Sequence, residues 1–99
     1  MSKKIKPVHP GEIIKLDMLK PMKMSAYRLA KGSGISLPNL TRILKGERAV
    51  TGESALRLGR FFGTGPEFWI NVQARYDLEM AKDKHGSEVE AEVEPWKAA

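Results

Sequence analysis

The chain of 99 residues contains no cysteine, only two histidines and only 7% aromatic residues. Without cysteine, the protein has no disulfide, no thiolate nucleophile and no cysteine-based zinc site. The N-terminus lacks the apolar segment of a secretion signal, and no apolar run approaches the length of a membrane span. These absences predict one small cytoplasmic domain without a membrane contact.

Residues suited to catalysis are equally scarce. His9 precedes a proline at a predicted helix start, where capping or packing explains it, and His85 lies in an acidic tail. Glu53 and Glu67 fall in predicted first helical turns, where the helix dipole favours carboxylates. The sequence therefore predicts no enzyme: no catalytic residue, no metal site, no cofactor and no small-molecule substrate.

Acidic residues are rare in the first three quarters of the chain. Residues 1–76 hold 14 Lys and Arg against 5 Asp and Glu, a net charge of +9. Residues 77–99 hold 3 Lys and Arg against 7 Asp and Glu, a net charge of −4. A small domain at +9 attracts the phosphates of nucleic acid.

The most informative segment, residues 25–46, reads SAYRLAKGSGISLPNLTRILKG. Two short amphipathic stretches flank a break of small residues at 32–34, and Ile35 is expected to fill the angle between them. In the second stretch Leu40, Ile43 and Leu44 recur at the i, i+3 and i+4 spacing of a helical apolar stripe. This pattern predicts a helix-turn-helix, whose second helix lies in the major groove of DNA.

The rest of the pattern predicts an all-α domain of five helices. We expect the first helix from Pro10 to about Leu19, ended by Pro21. The second begins after Ser25, and the third is the one capped by Ser36 and closed by Gly46. The fourth lies between Thr51 and Gly63, and the fifth runs from Gly65 to about Lys82, with Thr64 as its cap.

Three regions follow from this reading: a basic N-terminal arm at 1–8, a helix-turn-helix domain at 9–82, and an acidic tail at 83–99. Within the tail, residues 87–94 alternate glutamate with small residues. Such a run either adds a strand to a partner's sheet or stays solvated and flexible. Its acidic composition favours the second alternative.

The polar face of the third helix is the predicted DNA-binding surface. Arg42 is the main candidate for base readout, because a guanidinium can form two hydrogen bonds with guanine. Leu37 and Thr41 suit thymine methyl groups, and Asn39 suits an adenine or a phosphate. Contacts to phosphate set the register of the complex, and we assign them to Ser36, Lys45 and Arg48. The predicted DNA-binding residues are Ser36, Leu37, Pro38, Asn39, Thr41, Arg42, Lys45 and Arg48.

The fifth helix carries more apolar surface than the fourth helix needs. Phe68 or Trp69 is expected in the core, and the remaining surface predicts a two-fold interface. We assign that interface to Trp69, Val72 and Tyr76, since DNA readers of this kind pair to reach two half-sites.

Three segments resemble the HigA-type (VapI-like) antitoxins of the Xre/Cro group. They are HPGEII at 9–14, the helix-turn-helix at 25–46, and ALRLGRFFGTGPEFWINVQARYDL at 55–78, and the resemblance covers roughly residues 8–82. It implies an Xre-type all-α fold, a homodimer and repression of the protein's own operon through double-stranded operator DNA. It also implies neutralisation of a HigB-like toxin, a RelE-like nuclease that cleaves mRNA at the ribosome.

Two alternatives stand beside this interpretation. One is a stand-alone Xre-type transcriptional regulator without a toxin. The other is an antitoxin that only masks a protein partner and does not engage DNA. The polar, basic face of the third helix favours DNA binding over the masking alternative.

Overall fold

The computed structural model describes residues 7–97, which form five helices and no strand. The all-α architecture predicted from the sequence is confirmed. The predicted basic arm lies outside the described residues, apart from its last two positions. No helix within 7–97 is both long enough and apolar enough to cross a bilayer. The helices are α1 (10–22), α2 (Ala26–Ser33), α3 (Leu37–Leu44), α4 (Gly52–Phe62) and α5 (Pro66–Glu92).

Helix α1 changes its winding along its length. It starts as an α-helix at Pro10–Ile13, widens to a π-helix at Ile14–Leu19 and finishes with the turn Lys20–Met22. The prediction that Pro21 ends this helix is wrong. A proline ring normally clashes with the carbonyl four residues earlier, and the wider π-helical turn before it moves the backbone away from that clash. The helix ends instead at Lys23, which adopts a left-handed conformation with φ +53°.

The core lies where all five helices meet, and it contains the apolar stripe predicted for α3. Leu40 and Ile43 of that stripe are fully buried, and Leu44 packs against them. Ile35 fills the angle between α2 and α3, as predicted, and is only 4% exposed. The two helices of the motif are therefore held by the same core as the rest of the domain. Its buried hydrophobic residues are Ile14, Leu19, Leu29, Ala30, Ile35, Leu40, Ile43, Val50, Ala55, Leu58 and Trp69.

Helix α1 crosses α3 at Gly11, where the two backbones touch. A β-carbon at Gly11 would collide with the carbonyl oxygen of Ile43 and lie 2.9 Å from the Cα of Leu44. Glycine is needed here for the close approach of two chain segments, since the obstacle is backbone and cannot rotate away. This contact sets the distance between α1 and α3.

His9 caps α1 and packs against α5. Its Nδ1 accepts a hydrogen bond of 2.9 Å from the backbone N–H of Gly11, and its ring meets Tyr76 edge-on with centroids 4.9 Å apart. Burial lowers the pKa of His9, although a hydrogen bond with the Arg48 backbone and nearby carboxylates act in the opposite direction. The imidazole is therefore neutral at pH 7, as its acceptor role requires. The predicted capping and packing roles are both confirmed.

The first half of α5 packs within its own protomer. Trp69 is 0% exposed and sits between the rings of Phe62 and Phe68. The prediction that Trp69 lies at a dimer interface is therefore wrong, because none of its surface remains for a second chain. Val72 and Tyr76 keep part of their surface exposed.

The start of α5 also differs from the prediction. Thr64 does not cap the helix, since its hydroxyl donates to the carbonyl of Gly65 over 2.9 Å. Gly65 is the N-cap residue, with φ +85° and no side-chain hydrogen bond. Gly65 adopts a backbone conformation that glycine accommodates readily, and the threonine hydroxyl before it is engaged by the Gly65 carbonyl.

Helix α5 continues to Glu92, about ten residues beyond the predicted end at Lys82. Residues 83–92 are thus neither a strand nor an extended tail. Glutamate, lysine and alanine favour helix, and the pairs Lys82–Glu79 (3.7 Å) and His85–Glu88 (3.0 Å) lie at the i, i+3 spacing that supports it. The helix projects by about 24 Å past Tyr76, at 1.5 Å per residue.

Candidate nucleic-acid interface

Helix α3 has the boundaries that the sequence predicted. The hydroxyl of Ser36 accepts from the backbone N–H of Asn39 at 3.4 Å, which caps the N-terminus. At the other end Gly46 is left-handed, with φ +77°, and donates to Ile43 at 3.0 Å. The next N–H, of Glu47, reaches the Arg42 carbonyl at 2.9 Å. These two bonds form a Schellman motif, which ends the helix and reverses the chain.

The outer face of α3 is polar and accessible. At 100° per residue, Pro38, Arg42 and Lys45 lie opposite the buried stripe, and all three are exposed. Leu37 and Thr41 lie along one edge of this face, while Asn39 lies along the other. The structure therefore brings the predicted DNA-binding residues together on one surface, which we call the α3 face: Ser36, Leu37, Pro38, Asn39, Thr41, Arg42, Lys45 and Arg48.

Two cations on the α3 face are free to meet an anionic ligand. Within residues 7–97, neither Arg42 nor Lys45 forms an ion pair with a carboxylate. Arg57 behaves differently, because it pairs with Glu53 at 3.2 Å and donates to the Ser33 carbonyl at 3.2 Å. Arg57 is thus committed to holding α4 against the end of α2, whereas the charges of the α3 face remain available.

Arg48 joins the α3 face through a contact that sequence reasoning did not foresee. Its Nη1 donates to Oδ1 of Asn39 over 3.0 Å, across nine positions of the chain. The turn at Gly46 makes this possible, because it brings the following loop back alongside the first half of α3. No periodicity in the sequence signals such a pair, since one partner lies in a loop.

Gln73 is a second residue that the sequence analysis missed. It is 6% exposed, its Oε1 accepts from the backbone N–H of Val50 at 2.7 Å, and its Nε2 donates to Asp77 at 2.9 Å. A buried glutamine that satisfies a backbone donor fixes the loop after α3 onto α5. The one available signal was its position four residues after Trp69, on the buried side of the helix.

Comparison with known proteins places this architecture in a family. The helix-turn-helix family HTH_3 matches residues 16–69. Virulence-associated protein I of Dichelobacter nodosus is 44% identical over 75 residues, which is 76% of this chain and 69% of that protein.

Two solved structures are similar over nearly their whole length. An addiction module antidote protein of the HigA family from Coxiella burnetii is 48% identical, with a TM-score of 0.88, over 93% of this chain and 100% of that one. The Pseudomonas aeruginosa antitoxin HigA, solved with the higBA promoter, is 36% identical with a TM-score of 0.88, over 92% of this chain and 99% of that one. The chain therefore belongs to the HigA-type (VapI-like) antitoxins of the Xre/Cro helix-turn-helix family, a non-enzymatic class of DNA-binding proteins.

Proposed function

We propose that this protein binds its own operator as a homodimer, represses its own operon and neutralises a HigB-like toxin. The α3 face carries the DNA-binding part of this proposal, because it exposes Arg42 and Lys45 without intramolecular ion pairs among the described residues. The HigA relative solved with its promoter supports the same role. A repressor of this kind works in the cytoplasm, where the operator is.

The residues of the α3 face divide into two roles. Arg42, at the centre, reads a guanine, and its neighbours Leu37, Pro38 and Thr41 pack against base edges. Ser36 at the start of α3, Lys45 at its end and Arg48 in the following loop contact phosphates and set the register.

Replacing Arg42 by alanine should weaken operator binding by roughly 1–3 kcal/mol and relax the preference at one base position, because a two-bond contact with guanine is removed. Lys45→Ala is the matched control. It removes a charge from the same face and should weaken all duplexes to a similar degree. Binding to a duplex from upstream of the gene, to single-base variants of it and to a random duplex measures both effects.

Equal losses of affinity on operator and random DNA for Arg42→Ala would assign this residue to a phosphate instead. If the wild-type protein bound its own upstream duplex no better than random DNA, operator recognition itself would be refuted. The protein would then act by masking a partner alone.

The homodimer is proposed to form around the parts of α5 that remain accessible. Val72 and Tyr76 are half-buried in the protomer. A second protomer that covers them would place two α3 faces on half-sites one helical turn apart, about 10 bp. Trp69 supports this surface only from within the core.

The toxin is proposed to be the product of a neighbouring gene. Removing the projecting end of α5 tests whether that segment takes part in toxin binding. We expect truncation after Lys82 to tighten binding to every duplex, most at low salt, because it removes carboxylates that repel DNA. Binding of the toxin should be unchanged. Titrations of the full and truncated proteins with both ligands measure this. Loss of toxin binding on truncation would instead assign the acidic helix end to the toxin. If the product of the neighbouring gene bound neither the full nor the truncated protein, this protein would be a stand-alone transcriptional regulator.

A further inference from the structure

We propose that Asn39 is a positioning residue that holds Arg48 on the α3 face, so that the two side chains act on DNA as one unit. The inference rests on the proposed DNA binding and deepens it. Asn39 then carries no base readout of its own.

The hydrogen bond between the two side chains engages the atom that Asn39 would need for readout. An asparagine recognises adenine through its carbonyl oxygen and its amide nitrogen together. Here Oδ1 already accepts from Nη1 of Arg48 at 3.0 Å. A two-bond contact with adenine would have to use the second lone pair of Oδ1, in the side-chain orientation that the bond to Arg48 already fixes.

The location of Asn39 supports the same assignment. Its side chain is half-buried at the edge of the α3 face, whereas Pro38, Arg42 and Lys45 occupy the exposed centre. Its backbone N–H is committed to the cap at Ser36. This edge position beside the loop that carries Arg48 suits Asn39 to support that neighbour.

Arg48 keeps most of its binding capacity in this arrangement. A guanidinium carries five N–H donors in a rigid fork. The bond to Asn39 uses one of them. The other donors of this exposed side chain can meet a phosphate, and a side chain that is already held loses less conformational freedom on binding.

The backbone around Arg48 is anchored independently of Asn39. On one side Gly46 and Glu47 close the Schellman motif of α3. On the other side the N–H of Val50 is bound by the buried Gln73. Asn39 therefore has only the side chain of Arg48 left to orient, which predicts an effect on binding with little effect on folding.

A double-mutant cycle tests this inference. The four proteins are the wild type, Asn39→Ala, Arg48→Ala and the double variant, each titrated with the duplex upstream of the gene and with a random duplex. Arg48→Ala removes one phosphate contact per protomer, so a dimer should lose about 30-fold in affinity at 0.15 M salt and about 1.8 in the log–log salt slope. Asn39→Ala should lower the affinity for both duplexes about fivefold. In the Arg48→Ala background the same substitution should cause no further loss of affinity.

Lys45→Ala provides the matched control, because Lys45 is an exposed cation of the same face without a contact to Asn39. The losses of affinity caused by Asn39→Ala and Lys45→Ala should multiply. Melting temperatures of all variants should stay within a few degrees of the wild type, since surface substitutions of this kind change stability little.

The inference would be overturned if Asn39→Ala lowered DNA affinity by the same factor in the wild-type and in the Arg48→Ala background. It would also be overturned if Asn39→Ala relaxed the preference at a single base position, since that is the mark of direct readout. Neither result would count against operator binding by the wild-type protein. A wild type without preference for its own upstream duplex refutes the proposed function instead, and the cycle on random DNA still decides the role of Asn39.

Discussion

Raising the salt concentration from 50 to 200 mM should weaken operator binding by about 100- to 2,000-fold. This range follows from four to six neutralised phosphates per dimer, at a log–log slope of about −0.9 for each. In the proposed dimer, the exposed Lys45 and Arg48 of the two protomers would supply four such contacts. The basic domain surface supplies the rest, because residues 1–76 carry a net charge of +9. Fluorescence anisotropy with a labelled duplex at a series of salt concentrations measures the slope.

A matched variant separates specific phosphate contacts from the general attraction of a basic protein. Lys45→Ala should reduce the steepness of the slope by about 1.8, because each protomer of the dimer then neutralises one phosphate fewer. Lys84→Ala, which removes a charge of the projecting part of α5 instead, should leave the slope nearly unchanged. A flat salt response of the wild type would contradict the α3 face as a phosphate-binding surface.

Replacing Gly11 by alanine should destabilise the fold by about 1–3 kcal/mol or more, although it adds only one methyl group. The added carbon would collide with the Ile43 carbonyl and approach the backbone of Leu44. Neither obstacle can rotate away, so α1 and α3 must separate. Because α3 carries the α3 face, operator affinity should fall together with stability. Urea denaturation and a duplex titration on the same preparation measure both.

Gly52→Ala is the control for the general effect of replacing a glycine. A β-carbon at Gly52 meets nothing within 4 Å, and its φ is not in the left-handed region. This variant should be neutral or more stable by about 0.4–1 kcal/mol, because alanine reduces the freedom of the unfolded chain. Equal stability of the Gly11→Ala variant and the wild type would show that the backbones of α1 and α3 are not in close contact at Gly11.

Local patterns in the sequence were sufficient to predict most of the fold. The caps at Ser36 and Thr51 depend on hydrogen bonds between residues three apart, so they can be predicted from the sequence. The buried stripe of α3 follows from helical periodicity in the same way. The extent of the α3 face followed from that stripe, because the exposed face of a helix lies opposite its buried one.

Features that depend on distant partners were mispredicted or missed. Trp69 lies in an apolar stripe that suits a core and an interface equally, and only its neighbours Phe62 and Phe68 show that it is enclosed. Pro21 was predicted to end α1 because its ring breaks an ordinary α-helix, whereas the chain had widened into a π-helix just before it.

The sequence by itself therefore determined the helix-turn-helix, its caps and the charge that points to DNA, since each depends on residues within about one turn of each other or on composition. Only the tertiary structure decided which aromatic residue is enclosed, how closely α1 approaches α3 at Gly11, and that Arg48 donates a hydrogen bond to Asn39. These contacts join residues that are far apart in the chain. Their geometry depends on the packing of whole helices, which no local pattern of residues records.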